Sequence, residues 1–226
     1  MRDLAAEFGN IDIYLFDQLL KGRISPSDRV LDAGCGSGRN AYYLLTQGVE
    51  VFAVDTDPAA VAGVRELAAE CGAPADAHHF RVEPLEALTF ADNMFDVVVC
   101  SAVLHFAQDD AHFEAMALEL RRVLRPGGLF FARLASSIGI ESRVRPVAGR
   151  RCVLPDGSER YLVDEAQLVA LLDRLGGQLL DPIKTTIVQD QRSMTTWVWR
   201  AGQSPRNERS SSSTGTAARQ SSHRRP

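Results

Sequence analysis

Val30-Leu31-Asp32-Ala33-Gly34-Cys35-Gly36-Ser37-Gly38-Arg39-Asn40 passes from an apolar, strand-like run to a helical one through three glycines. Glycine accepts positive φ and lets a ligand approach the backbone closely. A helix that starts after such a turn offers unpaired N–H groups and the positive end of its dipole to a carboxylate or phosphate. In parallel α/β sheets, ligands collect at the carboxyl ends of the strands. A dinucleotide loop reads G-x-G-x-x-G. Here the glycines stand at 34, 36 and 38, giving G-x-G-x-G, with Asp32 just ahead of them. A carboxylate in that place repels a pyrophosphate and attracts an ammonium or sulfonium group. The charge logic favours a cationic, amino-acid-like cofactor over NAD. Asp55 ends the next apolar run, Val51-Phe52-Ala53-Val54-Asp55. An acidic residue there can accept hydrogen bonds from both hydroxyls of a ribose.

Working outward, strand-like and helix-like segments alternate. Residues 39–47 read as a helix stopped by Gly48, and 49–54 as a strand. Residues 58–71 read as a helix with Asp57 as N-cap and Pro58 in its first turn. Residues 79–82 are a weaker strand and 95–100 a buried one. A helix over 112–124 stops at Arg125-Pro126-Gly127-Gly128, and 129–134 is the next strand. Such alternation predicts a Rossmann-like, doubly wound, mostly parallel sheet with helices on both faces. Near the end the rhythm changes. Asp164 caps a helix to about Leu175. Two strand-like runs, 178–188 and 194–201, follow around Gln189-Asp190-Gln191. The sheet is therefore expected to finish with an antiparallel strand at its C-terminal edge. Residues 3–20 form an approximate apolar stripe, read as a helix packed on the sheet or closing over the cofactor.

Bulk properties narrow the class. The chain has 226 residues, 45% hydrophobic, with a net charge of −4. That suits one soluble domain and disfavours a general nucleic-acid binder, which carries a basic face. Cys35, Cys71, Cys100 and Cys152 form no C-x-x-C pair. The reading is reduced thiols in a cytoplasmic protein, with no structural zinc and no other metal site. Residues 1–8 do not read as a signal peptide, and no run suits a membrane span. Residues 203–226 are rich in Ser, Thr, Gly and Arg, with five arginines against Glu208. They read as a disordered basic tail that leaves an RNA contact open.

At these residues the sequence resembles the class I S-adenosylmethionine-dependent methyltransferases. V-L-D-A-G-C-G-S-G resembles the family's first motif and V-F-A-V-D its second. L-T-F-A-D-N-M-F-D-V-V-V-C-S resembles the run before and along the fourth strand, and L-R-P-G-G-L-F the turn into the fifth. G-S-G-R-N and the compact length are also similar to small-molecule enzymes of the tellurite-resistance type. The resemblance implies S-adenosylmethionine as cofactor and residues 1–202 as the methyltransferase domain. It implies that Gly34, Cys35 and Gly36 line the methionine part, with Asp32 near the ammonium group. Gly38 and Asn40 complete the cofactor-binding set of the loop. Asp55 would hold the ribose, with Thr56 beside the adenine. Glu83-Pro84-Leu85 would meet the adenine edge, and Ser101 would sit under the cofactor. Pro84 departs from the pattern, because relatives usually carry an acidic residue there; Glu83 or Glu86 is the candidate substitute.

His105, just past the fourth strand, is a candidate general base. Many relatives need none, because an oriented nucleophile suffices. No Pro-Pro-aromatic run follows that strand. Residues 135–161 read as a long polar loop on the substrate side. Arg133, Glu141, Arg143, Arg145, Arg150, Arg151 and Arg160 lie in or beside it, able to meet an anionic substrate. The expected function is methyl transfer to a small molecule. The alternatives are an RNA methyltransferase, a non-catalytic adenosyl-binding protein and an NAD-dependent oxidoreductase.

Overall fold

The structure is a computed structural model that describes residues 3–202. In chain order it begins with α1 (Leu4–Phe8), α2 (Ile13–Leu20), β1 (Arg29–Ala33), α3 (Ala41–Thr46), β2 (Glu50–Asp55) and α4 (Pro58–Glu70). Next come β3 (Phe80–Val82), β4 (Phe95–Ser101), α5 (Asp110–Val123) and β5 (Leu124–Ala135). The chain continues with β6 (Arg145–Ala148), β7 (Arg151–Val153) and β8 (Glu159–Tyr161). It ends with α6 (Glu165–Arg174), β9 (Gly177–Leu179), β10 (Lys184–Val188) and β11 (Arg192–Ala201).

β1 lies inside the sheet because Val30, Leu31 and Ala33 leave it no polar face to show to water. It pairs in parallel with β2 and β4, and the order is β10-β11-β5-β4-β1-β2-β3, with β9 also paired to β11. Helices cover both faces, as parallel strands buried on both sides require. On one face α5 and α6 pack on Phe130, Trp197 and Trp199. On the other, α2, α3 and α4 pack on Val30, Val51 and Phe131. β11 is the antiparallel strand expected near the C-terminal edge, inserted between β5 and β10. The hairpin at Gln189 and Asp190 is present, with both residues at positive φ.

Asp57 accepts from Ala59 N–H, and Asp164 from Gln167 N–H, so both expected caps form. Several boundaries differ from the sequence reading. The helix after the glycine loop is Ala41–Thr46 rather than 39–47, which leaves Arg39 and Asn40 in the loop. Residues 3–20 form two helices, because Gly9 at φ +60 ends the first and Asp12 caps the second. Arg125–Gly128 is a bulge within β5, where the pairing passes from Leu124 to Leu129 while β4 advances only from Phe95 to Val97. Run 178–188 splits at Asp181-Pro182. Asp181 is drawn out of the ladder by Arg23, Lys21 and Gln18, and proline has no N–H to give to it.

The polar loop expected at 135–161 is instead largely a second sheet, β6-β7-β8. Ala135, Ile140, Cys152, Leu154 and Leu162 form its small core. Its arginines are mostly paired: Arg143 with Asp190, Arg150 with Asp164 and Arg151 with Glu159. The tail at 203–226 lies outside the described residues.

Candidate functional site

The carboxyl ends of β1, β2, β4 and β5 open into one cavity of about 850 Å³. That is within the roughly 300–1,000 Å³ usual for small-molecule sites. Gly34, Cys35, Gly36, Asn40, Asp55, Thr56, Pro84, Leu85 and Ser101 line it, as do Glu83 and Glu86. A shallower hollow of about 590 Å³ lies beyond Ser37 against α4.

The glycine loop is held by backbone bonds. Gly34 and Cys35 N–H both donate to Val54 C=O, at 2.8 and 3.0 Å. Gly36 N–H donates to Asp55 Oδ2 at 2.9 Å, and Asp57 N–H to Asp55 Oδ1 at 3.0 Å. Two donors thus fix the orientation of Asp55 and leave each oxygen one lone pair. Gly34 has φ +81, and a Cβ there would stand 2.3 Å from Val103 Cγ2. No other residue fits. Ala102, at φ +65, is a strained non-glycine position on the cavity wall, of the kind that gathers at functional sites.

Three residues that the sequence placed in the site do not reach the cavity surface. Asp32 is 2% exposed, sealed behind the loop, and neither carboxylate oxygen has a hydrogen-bond partner. Burial lifts its carboxyl to about 7, Arg39 opposing and Asp55 adding. Ionising it there costs about 4 kcal/mol, at 1.36 kcal/mol per unit. Asp32 thus stands behind the loop rather than on the cavity wall. Gly38 packs the loop against Val64 and Leu67 of α4. His105 is buried in a 3₁₀ turn, with Nδ1 accepting from Ala135 N–H at 3.2 Å. Burial, and then Arg160, pushes it down to about 4. Its Nδ1 lone pair is thus taken by β5 and is not offered to the cavity.

Two further residues, Asp12 behind the wall and His112 on it, were given no role by the sequence reading. Asp12 Oδ2 accepts from Arg133 at 3.0 Å, and from Arg39 and the Ser101 hydroxyl at 3.3 Å. Asn40 Oδ1 accepts Asp12 N–H at 3.0 Å. The N-terminal helices are thereby tied to the glycine loop, β4 and β5. Two guanidinium groups face one carboxylate, so this wall carries a surplus positive charge. His112 also lines the cavity. Its Nδ1 accepts Gln108 N–H, which leaves the proton on Nε2, 3.3 Å from Glu86. Glu83 is held by the N–H and hydroxyl of Thr89, with Arg81 nearby. Arg133 was already named among the basic residues of the substrate side; Asp12 and His112 carried no sequence signal. Burial raises the Cys35 and Cys100 thiols, so neither is a nucleophile at neutral pH.

A doubly wound sheet closed by an antiparallel strand, with its glycine turn facing an acid at the end of β2, defines a Rossmann-like domain of methyltransferase type. The methyltransferase-domain family model matches residues 31–132. Over those residues the chain carries a methyltransferase domain, and it is similar to S-adenosylmethionine-dependent methyltransferases. A malonyl-[acyl-carrier protein] O-methyltransferase of Herminiimonas arsenicoxydans is 36% identical over 146 residues, 62% of this chain and 50% of that protein. The chain thus spans half the length of that relative. A methyltransferase structure from Methanosarcina mazei aligns with TM-score 0.66 at 21% identity, covering 82% of this chain and 98% of that one. A Burkholderia thailandensis 1,6-didemethyltoxoflavin-N1-methyltransferase, solved with S-adenosylhomocysteine, aligns with TM-score 0.63 at 22% identity. It covers 89% of this chain, which covers 82% of it.

Proposed function

We propose that the chain binds S-adenosylmethionine and transfers its methyl group to a nucleophilic O, N, S or metalloid atom of a small molecule. The observation that carries this is Asp32, a buried carboxylate with no partner behind a glycine turn. A cation settling on the loop lowers the cost of ionising it, whereas a pyrophosphate raises that cost. When bound, the cofactor supplies an electrophilic methyl group on a sulfonium. Gly34, Cys35 and Gly36 would lie against its methionine part, and the surplus charge of Arg39 suits its carboxylate. Asp55, already oriented, would accept the ribose hydroxyls, beside Thr56, Pro84 and Leu85. Ser101 would support it from β4.

Neither histidine near the cavity has a spare lone pair facing it, so catalysis rests on proximity and orientation. The acceptor's proton leaves to water. Calorimetry with S-adenosylmethionine, S-adenosylhomocysteine and NAD tests the reading. Binding of the first two without NAD is expected; tighter binding of NAD would overturn it. Among the described residues no helix is long and apolar enough to cross a membrane, and none cluster as metal ligands.

A further inference from the structure

Past the glycine loop the cavity changes character. Its outer wall includes Phe106, Met116, Arg133, Val188, Arg192 and Met194. The reversal of the sheet explains the grouping. Met194 pairs with Ala135 and Thr196 with Arg133, so the start of β11 lies at the carboxyl end of β5. Every second residue of a strand shares a face, and directly paired residues share one too. Arg133, Met194 and Arg192 therefore stand in a row on one face, with Val188 paired to Arg192. Four register steps separate the two arginines, roughly 13 Å at about 3.3 Å per residue.

The two cations differ. Arg133 is turned inward to Asp12 and lies 5.4 Å from the Tyr14 ring. Arg192 is exposed, and its guanidinium makes no ion pair among the described residues. Asp156 feels Arg192 and Arg160 and is held below the usual carboxylate range, chiefly by the Ser158 hydroxyl. Arg160 stands 4.9 Å over the ring of Phe106, itself 59% exposed. The mouth thus has two arginines against one carboxylate, beside a wall of one ring, Val188 and two adaptable methionines.

We propose that this half of the cavity takes an organic acid as the methyl acceptor. Its carboxylate is gripped by Arg192, and its apolar body lies along Met194, Val188 and Phe106. Its reacting atom points toward the glycine loop. The proposal rests on the methyl-transfer reading. A guanidinium matches a carboxylate with two parallel hydrogen bonds. A neutral or cationic acceptor gains nothing from Arg192.

The test uses protein already loaded with S-adenosylhomocysteine, so that cofactor binding is established first. Calorimetry then compares 4-hydroxyphenylacetate with its amide, octanoate with octanamide, and inorganic phosphate. At least one acid should bind on the order of tenfold tighter than its amide, the worth of one charge-assisted bond. Phosphate alone should bind more weakly than that acid. Arg192→Gln should abolish the preference and leave S-adenosylhomocysteine affinity unchanged. Equal binding of acid and amide, a preference that survives Arg192→Gln, phosphate as tight as the acids, or no binding of either pair overturns the proposal and leaves the methyltransferase reading standing. Failure to bind S-adenosylhomocysteine removes both.

Discussion

The inner and outer halves of the cavity are built by different means. The inner half comes from contiguous stretches, residues 32–40 and 54–57, joined by backbone bonds such as Gly34 N–H to Val54 C=O. Its geometry is fixed by chain conformation, so side chains there have little latitude. The outer half is assembled from residues 106, 116, 133, 188, 192 and 194, brought together only by strand register. Its side chains can change without moving the backbone. Such a division suits a domain that keeps one cofactor while its acceptor varies, because function resides in the site rather than in the fold.

The largest effect that would break this comparison lies at Gly34. Gly34→Ala puts a methyl group against Val103 at a backbone angle that costs a non-glycine residue roughly 1–3 kcal/mol. S-adenosylhomocysteine affinity should fall on the order of 100-fold, the upper end of that range. Adding Val103→Ala should return the steric part and leave the backbone part. In the outer half, Phe106→Ala should leave that affinity unchanged. Calorimetry on folded variants decides; a comparable loss at Phe106 would show the two halves to be one.

A pH series sharpens the inner half. The folded carboxyl of Asp32 stands at about 7, above its ordinary 3.8. The folded state therefore holds a proton that the unfolded state has released between those values. This group's contribution to stability is full below about 4 and is lost as pH rises to about 7. Cofactor binding follows the opposite course, because the ammonium group of the ligand's methionine part favours the ionised form. Affinity for S-adenosylhomocysteine should rise from pH 5.5 to 7.5, by at most about tenfold per unit below the carboxyl's pKa. Proton release on binding should accompany the rise, and Asp32→Asn should flatten both. A flat profile for the unsubstituted protein would remove Asp32 from the energetics of the site.

The same division governs what was legible in the sequence. Gly34, Asp55 and Ser101 could be found because a strand, a turn and a charged residue stand next to one another in the chain. The sheet could be read from alternation, since strands such as β4 are long apolar runs. Strands β6, β7 and β8 could not. They have three or four residues each, rich in arginine, and pair only because a small core around Ile140 and Leu154 holds them. His105 is a candidate only by its place after β4, and proximity in sequence does not say which way a ring turns. His112 and Arg192 reach the cavity through a helix start and a strand reversal, and neither leaves a local mark.

The smallest expected effect concerns the adenine end, where Pro84 stands in place of the usual acid. Proline offers neither a side-chain acceptor nor an N–H. Of the two nearby acids, Glu83 is held by the Thr89 N–H and hydroxyl, one on each oxygen, with Arg81 3.8 Å away. Glu86 lines the cavity with only the Nε2 of His112 beside it, 3.3 Å away. Glu86 is thus the freer candidate acceptor for an adenine amine. Glu86→Ala should weaken S-adenosylhomocysteine binding by about 0.5–1.5 kcal/mol, the net worth of one hydrogen bond. The analogue with unsubstituted purine in place of adenine should lose nothing, because that edge of its base has no N–H for the carboxylate to receive. Pro84→Asp in the Glu86→Ala background should restore the preference for the amine. Equal weakening for both ligands would mean that Glu86 acts on His112 and the loop rather than on the base.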